Sequence, residues 1–348
     1  MDLKDLTVLE TETIKVAMEK MDASAKQIIY VVNEERQLVG VLTDGDTRRW
    51  ILKKNADIQQ PVSLAMNKNP IFVKSSDKNQ AKQIMSDHKV NSVPVVDNDS
   101  KITTIVFDTD ELITNQVTGI PVVIMAGGKG TRLYPYTKIL PKPLIPIGDT
   151  PIMERIMNKF VDYGMNDFLI SINYKKNMIK SYFGDSDHTY NVSFVEEDIP
   201  LGTGGSLHLM KDDLKDQFFV SNCDILIDAD YSDVVDFHNK NNLDITMVAS
   251  LKNDQIPYGV LQLDDEGLLE SSEEKPEFSY LVNTGMYLLE NSILDYIPEN
   301  KAIDLPTAIM AAKEAGKRVG VYPVSENAWL DMGQIKEMEQ MIEKLGVD

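Results

Sequence analysis

Three glycines and four cationic side chains follow a short apolar run near the middle of the chain. Residues 122–142 read VVIMAGGKGTRLYPYTKILPK, which places Arg132 just after the glycines and Lys142 ten residues further on. Glycines let backbone N–H groups approach phosphate oxygens closely, and positive φ angles cost them little. The side chains of Arg132 and Lys142 add positive charge. The segment therefore predicts a loop that binds a polyphosphate.

Neither of two common phosphate-binding motifs describes this loop. A Walker A motif needs Ser or Thr after its Gly-Lys pair, but Lys129 is followed by Gly130. A dinucleotide-binding motif needs a third glycine at the position that Leu133 occupies. The loop therefore belongs to another class of phosphate site, whose other residues lie further along the chain.

Two aspartates stand where such residues are expected. Asp224 ends the apolar run FFVSNCD, and Asp331 follows the apolar residues AWL. Ligands of open α/β sheets bind at the carboxyl ends of strands, so Asp224 is suited to meet the loop. Asp331 lies far along the chain and is free to converge on it. The four histidines, by contrast, show neither metal-ligand spacing nor a Ser or Cys partner pattern.

The segments that carry these residues alternate between two kinds of element. From residue 120 onward, apolar stretches such as FLISIN, ITMVAS and MYLLE alternate with helical stretches such as PIMERIMNKFVDYG. Strands that alternate with helices predict an α/β domain with an open, mostly parallel sheet covered on both faces.

The amino-terminal part of the chain contains an internal repeat. Residues 28–46 (IIYVVNEERQLVGVLTDGD) align with residues 92–110 (SVPVVDNDSKITTIVFDTD) at a constant offset of 64 residues. Such a period indicates two copies of one supersecondary unit that bury a shared core. The repeat resembles a pair of cystathionine-β-synthase (CBS) domains. This resemblance implies an α+β fold with domains at 1–56 and 57–116, ahead of a domain at 120–348.

In CBS domains, a Thr or Ser and an Asp at a strand-to-helix junction hold the phosphate and ribose of an adenine nucleotide. The resemblance assigns these roles to Thr43 and Asp46 of TDGD. The chemistry is suitable, because a carboxylate accepts from vicinal hydroxyls and a helix N-terminus favours phosphate. The second copy keeps Asp110 but has Phe107 in place of the hydroxyl, so we expect one regulatory site. The alternative is that both aspartates only cap helices.

A second resemblance covers residues 120–348. MAGGKGTRLYPYTKILPKPLIPIGDTPIMERI is similar to the signature of nucleotidyltransferases that join a nucleoside triphosphate to a sugar 1-phosphate. Further matches follow in that family's order: EEDIPLGTGGSL, VSNCDIL, PYGV, EEKP, VNTGMYLLE and AWLDMGQ. The resemblance implies a Rossmann-like, mostly parallel sheet and a reaction of nucleotide-sugar biosynthesis that releases pyrophosphate.

The resemblance also implies roles for individual residues. Asp224 and Asp331 bind Mg²⁺, a cation that prefers one or two carboxylates together with phosphates and water. Lys275 meets the sugar phosphate, and Glu274 accepts from sugar hydroxyls. The implied catalytic set is Arg132, Lys142, Asp224, Lys275 and Asp331; the nucleotide-binding set is Ala126, Gly127, Gly128, Gly130, Thr131, Glu197, Gly202 and Thr203; and the sugar-binding set is Gly259, Glu274, Asn283 and Thr284.

The base is predicted from Glu197, which stands five residues before the first glycine of LGTG. A carboxylate only accepts hydrogen bonds, and guanine offers it N1–H and N2–H₂ together, whereas a pyrimidine sets a repelling carbonyl beside N3–H. This favours GTP. Glu196 or Asp198 could instead take the position next to the base. The attached CBS pair resembles guanylyltransferases that feed surface-glycan pathways, which suggests glucosamine 1-phosphate as the sugar.

Composition excludes several classes of partner. The chain has 348 residues and a net charge of −20, which argues against nucleic acid, since binding there needs a basic stripe. Its single cysteine cannot form an internal disulfide. The acidic start MDLKDLTVLETET has no apolar region typical of a signal peptide. The sequence also contains no run of 18 apolar residues, so no membrane span is predicted. We therefore expect a cytoplasmic protein without a membrane partner, and a homo-oligomer.

The same sequence motifs are compatible with two other functions. The catalytic half could be degenerate, which would make the chain a nucleotide-sensing regulatory protein. The intact cations and carboxylates of the motifs argue against this. Alternatively, the enzyme could transfer a uridylyl, thymidylyl or cytidylyl group to another phosphate. The PKPLIPI and EEKP segments favour a sugar phosphate.

Overall fold

A computed structural model describes residues 3–24, 26–54, 56–107, 117–184, 188–214 and 216–347. The chain divides into two compact units, Met1–Ile113 and Thr114–Asp348. No helix among the described residues is long and apolar enough to cross a membrane.

The first unit contains two small sheets with the same topology. In each sheet the first two strands are parallel and the third is antiparallel to the second. The first sheet consists of β1 (Thr7–Leu9), β2 (Ile28–Val32) and β3 (Leu38–Thr43), and the second of β4 (Val73–Lys74), β5 (Ser92–Val96) and β6 (Ile102–Phe107). The helices are α1 (Ile14–Ser24), α2 (Asp44–Ile51) and α3 (Ala81–His88).

The internal repeat reappears in this geometry. Strands β5 and β6, which start at Ser92 and Ile102, begin 64 residues after β2 and β3, which start at Ile28 and Leu38. Even the irregularity in pairing recurs, between Val31 and Val32 in one sheet and between Val95 and Val96 in the other. The helix predicted to begin near Asp110 lies outside the described residues.

The second unit is built on a seven-stranded sheet. Its strands are β7 (Val122–Ala126), β10 (Asp167–Ile172), β11 (Asn191–Glu196), β12 (Phe218–Asn222), β14 (Ile245–Gln255), β17 (Glu277–Leu289) and β18 (Val319–Val324). Their order across the sheet is β11-β10-β7-β12-β17-β14-β18. All run in one direction except β17, which is antiparallel to both of its neighbours. The predicted α/β fold class with a mostly parallel sheet is confirmed.

Shorter strands and the helices complete this unit. Three two-stranded pairs are formed by β8 (Pro146–Ile147) with β9 (Thr150–Pro151), β13 (Ile225–Ile227) with β19 (Trp329–Asp331), and β15 (Gly259–Leu263) with β16 (Leu269–Glu274). The helices are α4 (Tyr136–Ile139), α5 (Ile152–Val161), α6 (Lys176–Gly184), α7 (Gly202–Gly205), α8 (Tyr231–Lys240), α9 (Leu305–Glu314) and α10 (Ile335–Leu345).

Strand β7 lies inside the sheet, and its position explains why its sequence is apolar at every residue rather than at every second one. Successive side chains of a strand point to opposite faces, and both faces of this sheet are covered. Ile124 belongs to the core that contains Ile156 of α5, whereas Val123 belongs to the core that contains Ile309 of α9. Because β7 is buried on both sides, the glycine loop that follows it starts from a fixed point.

Candidate active site

The glycine loop leaves the carboxyl end of β7 and presents unused backbone donors. Gly130 has φ +62, a left-handed conformation that glycine adopts without strain. Within the described chain, the backbone N–H groups of 127–131 donate no hydrogen bond. Consecutive unused N–H groups on a glycine loop form a concavity suited to an anion. The geometry therefore fits the predicted phosphate loop, which includes Gly127, Gly128, Gly130 and Thr131 and begins after Ala126.

Lys142 and Asp224 form an ion pair beside this loop. Lys142 begins the 3-10 turn Lys142–Leu144, and Asp224 lies two residues beyond the end of β12. Their side chains are only 10% and 15% exposed, so the pair is shielded from solvent. Two residues that are 82 positions apart in the chain are thus held together where β7 and β12 end side by side.

The two-stranded sheet of β13 and β19 brings Asp331 close to the Lys142–Asp224 pair. Asp331 stands opposite Ile225 in the antiparallel pairing of β13 with β19, and the Met332 N–H donates to the Asp224 carbonyl oxygen at 2.8 Å. Burial raises the pKa of Asp331 to about 6, and repulsion from the Asp224 carboxylate adds to this effect. The Lys142 ammonium acts in the opposite direction. Two carboxylates that repel each other are thus held at one edge of the sheet.

This donor set fits the implied Mg²⁺. No group of three or more His, Cys, Asp or Glu residues in the described chain could hold a metal ion by itself. Mg²⁺ does not require such a group, because it commonly binds one or two carboxylates and takes its other ligands from substrate phosphates and water. Asp224 and Asp331 are the residues that would hold it, and a divalent cation would relieve their mutual repulsion.

A cavity of about 370 Å³ lies next to these residues. Six of the predicted site residues line it: Arg132, Thr203, Asp224, Asn283, Thr284 and Asp331. Sequence reasoning missed other lining residues, such as Asn222 and Trp329, although both stand inside matched motifs. Cations, carboxylates and amide groups therefore face one space that is large enough for part of a nucleotide sugar.

An irregularity in β17 turns its polar residues toward the cavity. The pairing of β17 with β14 shifts between Val248 and Ala249, next to Asn283 and Thr284. The Thr284 hydroxyl donates to the Val248 carbonyl oxygen at 2.7 Å, so its position is fixed. Gly285 has φ +92, and a Cβ atom there would lie 2.3 Å from the Asn222 amide nitrogen. Only glycine fits at this position.

The glycines of α7 are required by close packing. A Cβ atom at Gly202 would lie 2.7 Å from the Ile303 carbonyl oxygen, and Gly202 has φ +74. The Gly204 N–H donates to the same oxygen at 2.9 Å. The Thr203 hydroxyl oxygen accepts from the Leu305 N–H at 3.1 Å, at the start of α9. Gly202 and Thr203 thus have structural tasks, and Thr203 also lines the cavity.

Glu197 is buried beneath the glycine loop. One carboxylate oxygen accepts from the Ser171 hydroxyl at 2.6 Å, and the other accepts from the Leu201 N–H at 2.9 Å. A Cβ atom at Gly127 would lie 2.6 Å from the first of these oxygens, so Glu197 contacts the loop directly. Contact with a base stays a prediction.

The alternative base contact, Glu196, has a different environment. Its carboxylate pairs with Lys176 and Lys180 on the surface. Hydrogen bonds from these two ammonium groups lower the pKa of Glu196 to about 2. Glu196 therefore already has two cationic partners, and its neighbour Glu197 is the carboxylate that contacts the phosphate loop.

The predicted sugar-side residues of the β15–β16 hairpin do not line the cavity. Lys275 is exposed, has φ +50 and donates its backbone N–H to the Tyr258 carbonyl oxygen at 3.2 Å. The Glu274 carboxylate lies against Gly259, whose Cβ atom would be 2.9 Å from it. Gly259, Glu274 and Lys275 therefore lie together and are not among the residues that line the cavity, and their roles toward a sugar stay predictions.

In the first unit, Thr43 and Asp46 cap α2. The Thr43 hydroxyl and backbone N–H both donate to one Asp46 carboxylate oxygen, at 2.7 and 3.0 Å, and the Asp46 N–H donates to the Thr43 hydroxyl oxygen at 3.2 Å. Arg49 pairs with the other carboxylate oxygen. These contacts are those of the helix-cap alternative, and nucleotide binding here stays a prediction.

Comparisons with known families agree with this division. The family model described as Nucleotidyl transferase matches residues 121–346, and the CBS domain model matches residues 1–53 and 61–110. Both resemblances derived from the sequence are thereby confirmed. The bounds of these family models and of the two compact units differ from the predicted domain limits of 1–56, 57–116 and 120–348. Those limits therefore stay a prediction.

Individual relatives carry related names. A mannose-1-phosphate guanylyltransferase of Mycobacterium tuberculosis is 30% identical over 221 residues, which is 62% of this chain and 61% of that protein. A UTP–glucose-1-phosphate uridylyltransferase of Synechocystis is 30% identical over 240 residues, with 63% and 62% covered. The chain thus spans about three fifths of the length of these curated relatives.

A solved structure supports the fold of the second unit. HddC of Yersinia pseudotuberculosis, in complex with GMP-PN, is 26% identical, with a TM-score of 0.52. The match covers 65% of this chain and all of that one. The fold of the second unit is therefore shared with a protein that has been crystallised in complex with GMP-PN.

Proposed function

Since this chain belongs to the nucleotidyl transferase family, we propose that it joins a nucleoside triphosphate to a sugar 1-phosphate. The observation that carries the proposal is the convergence at one cavity edge of the glycine loop, Arg132, the Lys142–Asp224 pair and Asp331. Free N–H groups and cations suit a triphosphate, and paired carboxylates suit its metal ion.

The reaction requires positioning and charge neutralisation more than covalent chemistry. A phosphate oxygen of the sugar 1-phosphate attacks the α-phosphorus in line; a P–O bond forms there, the bond to the β-phosphate breaks, and pyrophosphate leaves. The loop N–H groups bind and orient the triphosphate, while Arg132 and Lys142 neutralise its charge. When bound at Asp224 and Asp331, Mg²⁺ would supply further charge neutralisation.

The Lys142–Asp224 pair prepares the site for this charge. In the described state each group neutralises the other in a position shielded from water. A bound triphosphate would offer Lys142 a second anionic partner, and a bound cation would do the same for Asp224. Charges that are already oriented in a dry site need little reorganisation during the reaction, which is the main advantage of electrostatic catalysis.

GTP is our proposed nucleotide and glucosamine 1-phosphate our proposed sugar. Relatives named as guanylyltransferases and a neighbour in complex with GMP-PN support guanine. Each carboxylate oxygen of Glu197 accepts one hydrogen bond from the protein and has two lone pairs, so each retains one acceptor position. That pair of positions matches the N1–H and N2–H₂ edge of guanine.

Uridylyl transfer is a second candidate, since the Synechocystis relative is named as a uridylyltransferase. Regulation by an adenine nucleotide at Thr43 and Asp46, assembly into a homo-oligomer and a cytoplasmic location are parts of the same proposal. Participation in surface-glycan biosynthesis follows from the proposed product, an activated hexosamine.

Pyrophosphate release with Mg²⁺ tests the proposal directly. Four nucleoside triphosphates are combined with a dozen sugar 1-phosphates, among them those of glucosamine, mannose, glucose and N-acetylglucosamine. We expect the highest kcat/KM with GTP and glucosamine 1-phosphate. Preference for UTP would contradict the proposed base but keep the reaction. Absence of release with every pair, from protein that still binds a triphosphate in calorimetry, would favour a regulatory binding protein instead.

A further inference from the structure

We infer that Thr137 is a positioning residue that holds the glycine loop in the shape that binds a triphosphate, an inference that rests on the proposed function. Thr137 lies in the short helix α4 and is fully buried. It would not touch the substrate. Its effect would pass through Gly130, the last glycine of the loop.

Thr137 contacts Gly130 in two ways. Its hydroxyl donates to the Gly130 carbonyl oxygen at 2.8 Å, and its methyl group packs against the same residue. A Cβ atom at Gly130 would lie 2.9 Å from that methyl carbon and 3.1 Å from Lys142 Cβ. Gly130 is therefore enclosed between Thr137 and Lys142, in a left-handed conformation with φ +62.

The hydrogen bond to the carbonyl sets the direction of a donor. Because a trans peptide unit is planar, its C=O and the following N–H point in opposite directions. Holding the Gly130 carbonyl oxygen toward Thr137 therefore turns the Thr131 N–H away from the protein interior. Within the described chain that N–H donates no hydrogen bond, and Thr131 is exposed. Thr137, together with the Leu133 N–H that donates to the same carbonyl oxygen at 3.0 Å, thus orients one of the donors available to a phosphate.

Thr137 and the residues next to it accept hydrogen bonds from the segment that follows strand β10. The Tyr174 hydroxyl donates to the Thr137 carbonyl oxygen at 3.3 Å. The Lys175 ammonium donates to the carbonyl oxygens of Lys138 and Ile139, at 2.6 and 2.7 Å. Tyr174 and Lys175 follow the end of β10 by two and three residues, and β10 pairs with β7 up to Ala126. The loop is consequently fixed at both ends to adjacent strands.

Thr246 provides a matched control in the same unit. It is also a fully buried threonine, and its hydroxyl oxygen lies 2.8 Å from His238 Nδ1, but it neither contacts the loop nor lines the cavity. Thr246→Val and Thr137→Val both replace a buried hydroxyl by a methyl group of similar size. A merely structural role would give the two variants the same phenotype.

The test compares Thr137→Val, Thr137→Ser, Tyr174→Phe and Thr246→Val with the wild type. The measurements are kcat, both KM values, GTP binding by calorimetry and the melting temperature. For Thr137→Val we expect the triphosphate KM and Kd to rise about tenfold, equivalent to about 1.4 kcal/mol, with the sugar 1-phosphate KM changed less than about twofold. Thr137→Ser keeps the hydroxyl and should stay within about twofold of the wild type.

The control variants make the outcome decisive. Thr246→Val should lower the melting temperature without changing the triphosphate KM or Kd. Tyr174→Phe should raise the triphosphate KM in the same direction by a smaller factor, and it decides the question if Thr137→Val does not fold. Wild-type GTP binding by Thr137→Val, or equal effects on both substrates, would overturn the inference. If the wild type binds GTP but releases no pyrophosphate, the proposed function fails while the binding comparison still tests Thr137.

Discussion

Replacing Asp224 by Asn would separate the two tasks that the structure gives this carboxylate. Asp224 neutralises Lys142 and, with Asp331, forms the proposed metal site. Asparagine keeps the size of the side chain and an oxygen that accepts from Lys142, but it removes the negative charge. We expect turnover to fall by about 10²-fold or more, which is typical when one preorganised electrostatic group is lost.

The same substitution should also lower stability by a predictable amount. Lys142 would keep its charge in a position where its side chain is 10% exposed, with no counter-charge at Asp224. Removing one partner of a buried pair costs about 3–5 kcal/mol, and a retained hydrogen bond to a charged group offsets roughly 1.5–3. A net loss of about 2 kcal/mol would lower the melting temperature by roughly 4–8 °C in a unit of this size.

A double variant distinguishes these effects. In Asp224→Asn/Lys142→Met no unpaired charge is left, so stability should recover toward the wild type while turnover stays low. Pyrophosphate release at saturating Mg²⁺ and thermal unfolding are measured for the single and double variants. Asp228→Asn is the control, because that carboxylate is 75% exposed, pairs with Lys159 and does not line the cavity. A single variant that retains a tenth of the activity would refute the metal-site assignment. A double variant as unstable as the single one would refute the charge argument.

Three further predictions concern other parts of the chain. Glu197→Gln should shift the ratio of kcat/KM values from GTP toward UTP or dTTP by about 1–3 kcal/mol, because the amide offers one donor and one acceptor; a wild type that prefers UTP would contradict this. Asp46→Ala should abolish calorimetric binding of AMP, ADP or ATP and, through loss of the cap, lower stability by about 1 kcal/mol, whereas binding that survives would identify Asp46 as a cap only. Burial lowers the pKa of His238, so its contribution to stability should be complete above about pH 6.5 and decline as the pH falls further. The stability of His238→Gln should vary less between pH 7 and pH 5, and an unchanged pH dependence would speak against this account.

The individual elements could be predicted well because their signals are local. The strand before the glycine loop is an unbroken apolar run, which the structure explains by burial on both faces of the sheet. The repeat is visible at an offset of 64 residues, and strands β5 and β6 follow β2 and β3 at this offset to the residue. In contrast, Glu274 and Lys275 are expected at the sugar site, but they are not among the residues that line the cavity, so their role toward a sugar stays a prediction. A sequence motif indicates which residues a family shares, but it does not indicate how far apart the elements that carry those residues lie in the folded chain.

The amino-acid sequence by itself determined the two kinds of domain, the glycine loop and the residue types available for chemistry, since apolar periodicity, glycine and charge act over short stretches of chain. Only the tertiary structure decided which of these residues meet. The strand order brings Lys142 to Asp224 across 82 positions, and the pairing of β13 with β19 adds Asp331. The tertiary structure also places Glu197 beneath Gly127 and Thr137 against Gly130. The physical reason is that these contacts depend on how distant segments pack, and packing is a property of the whole sheet and its two cores.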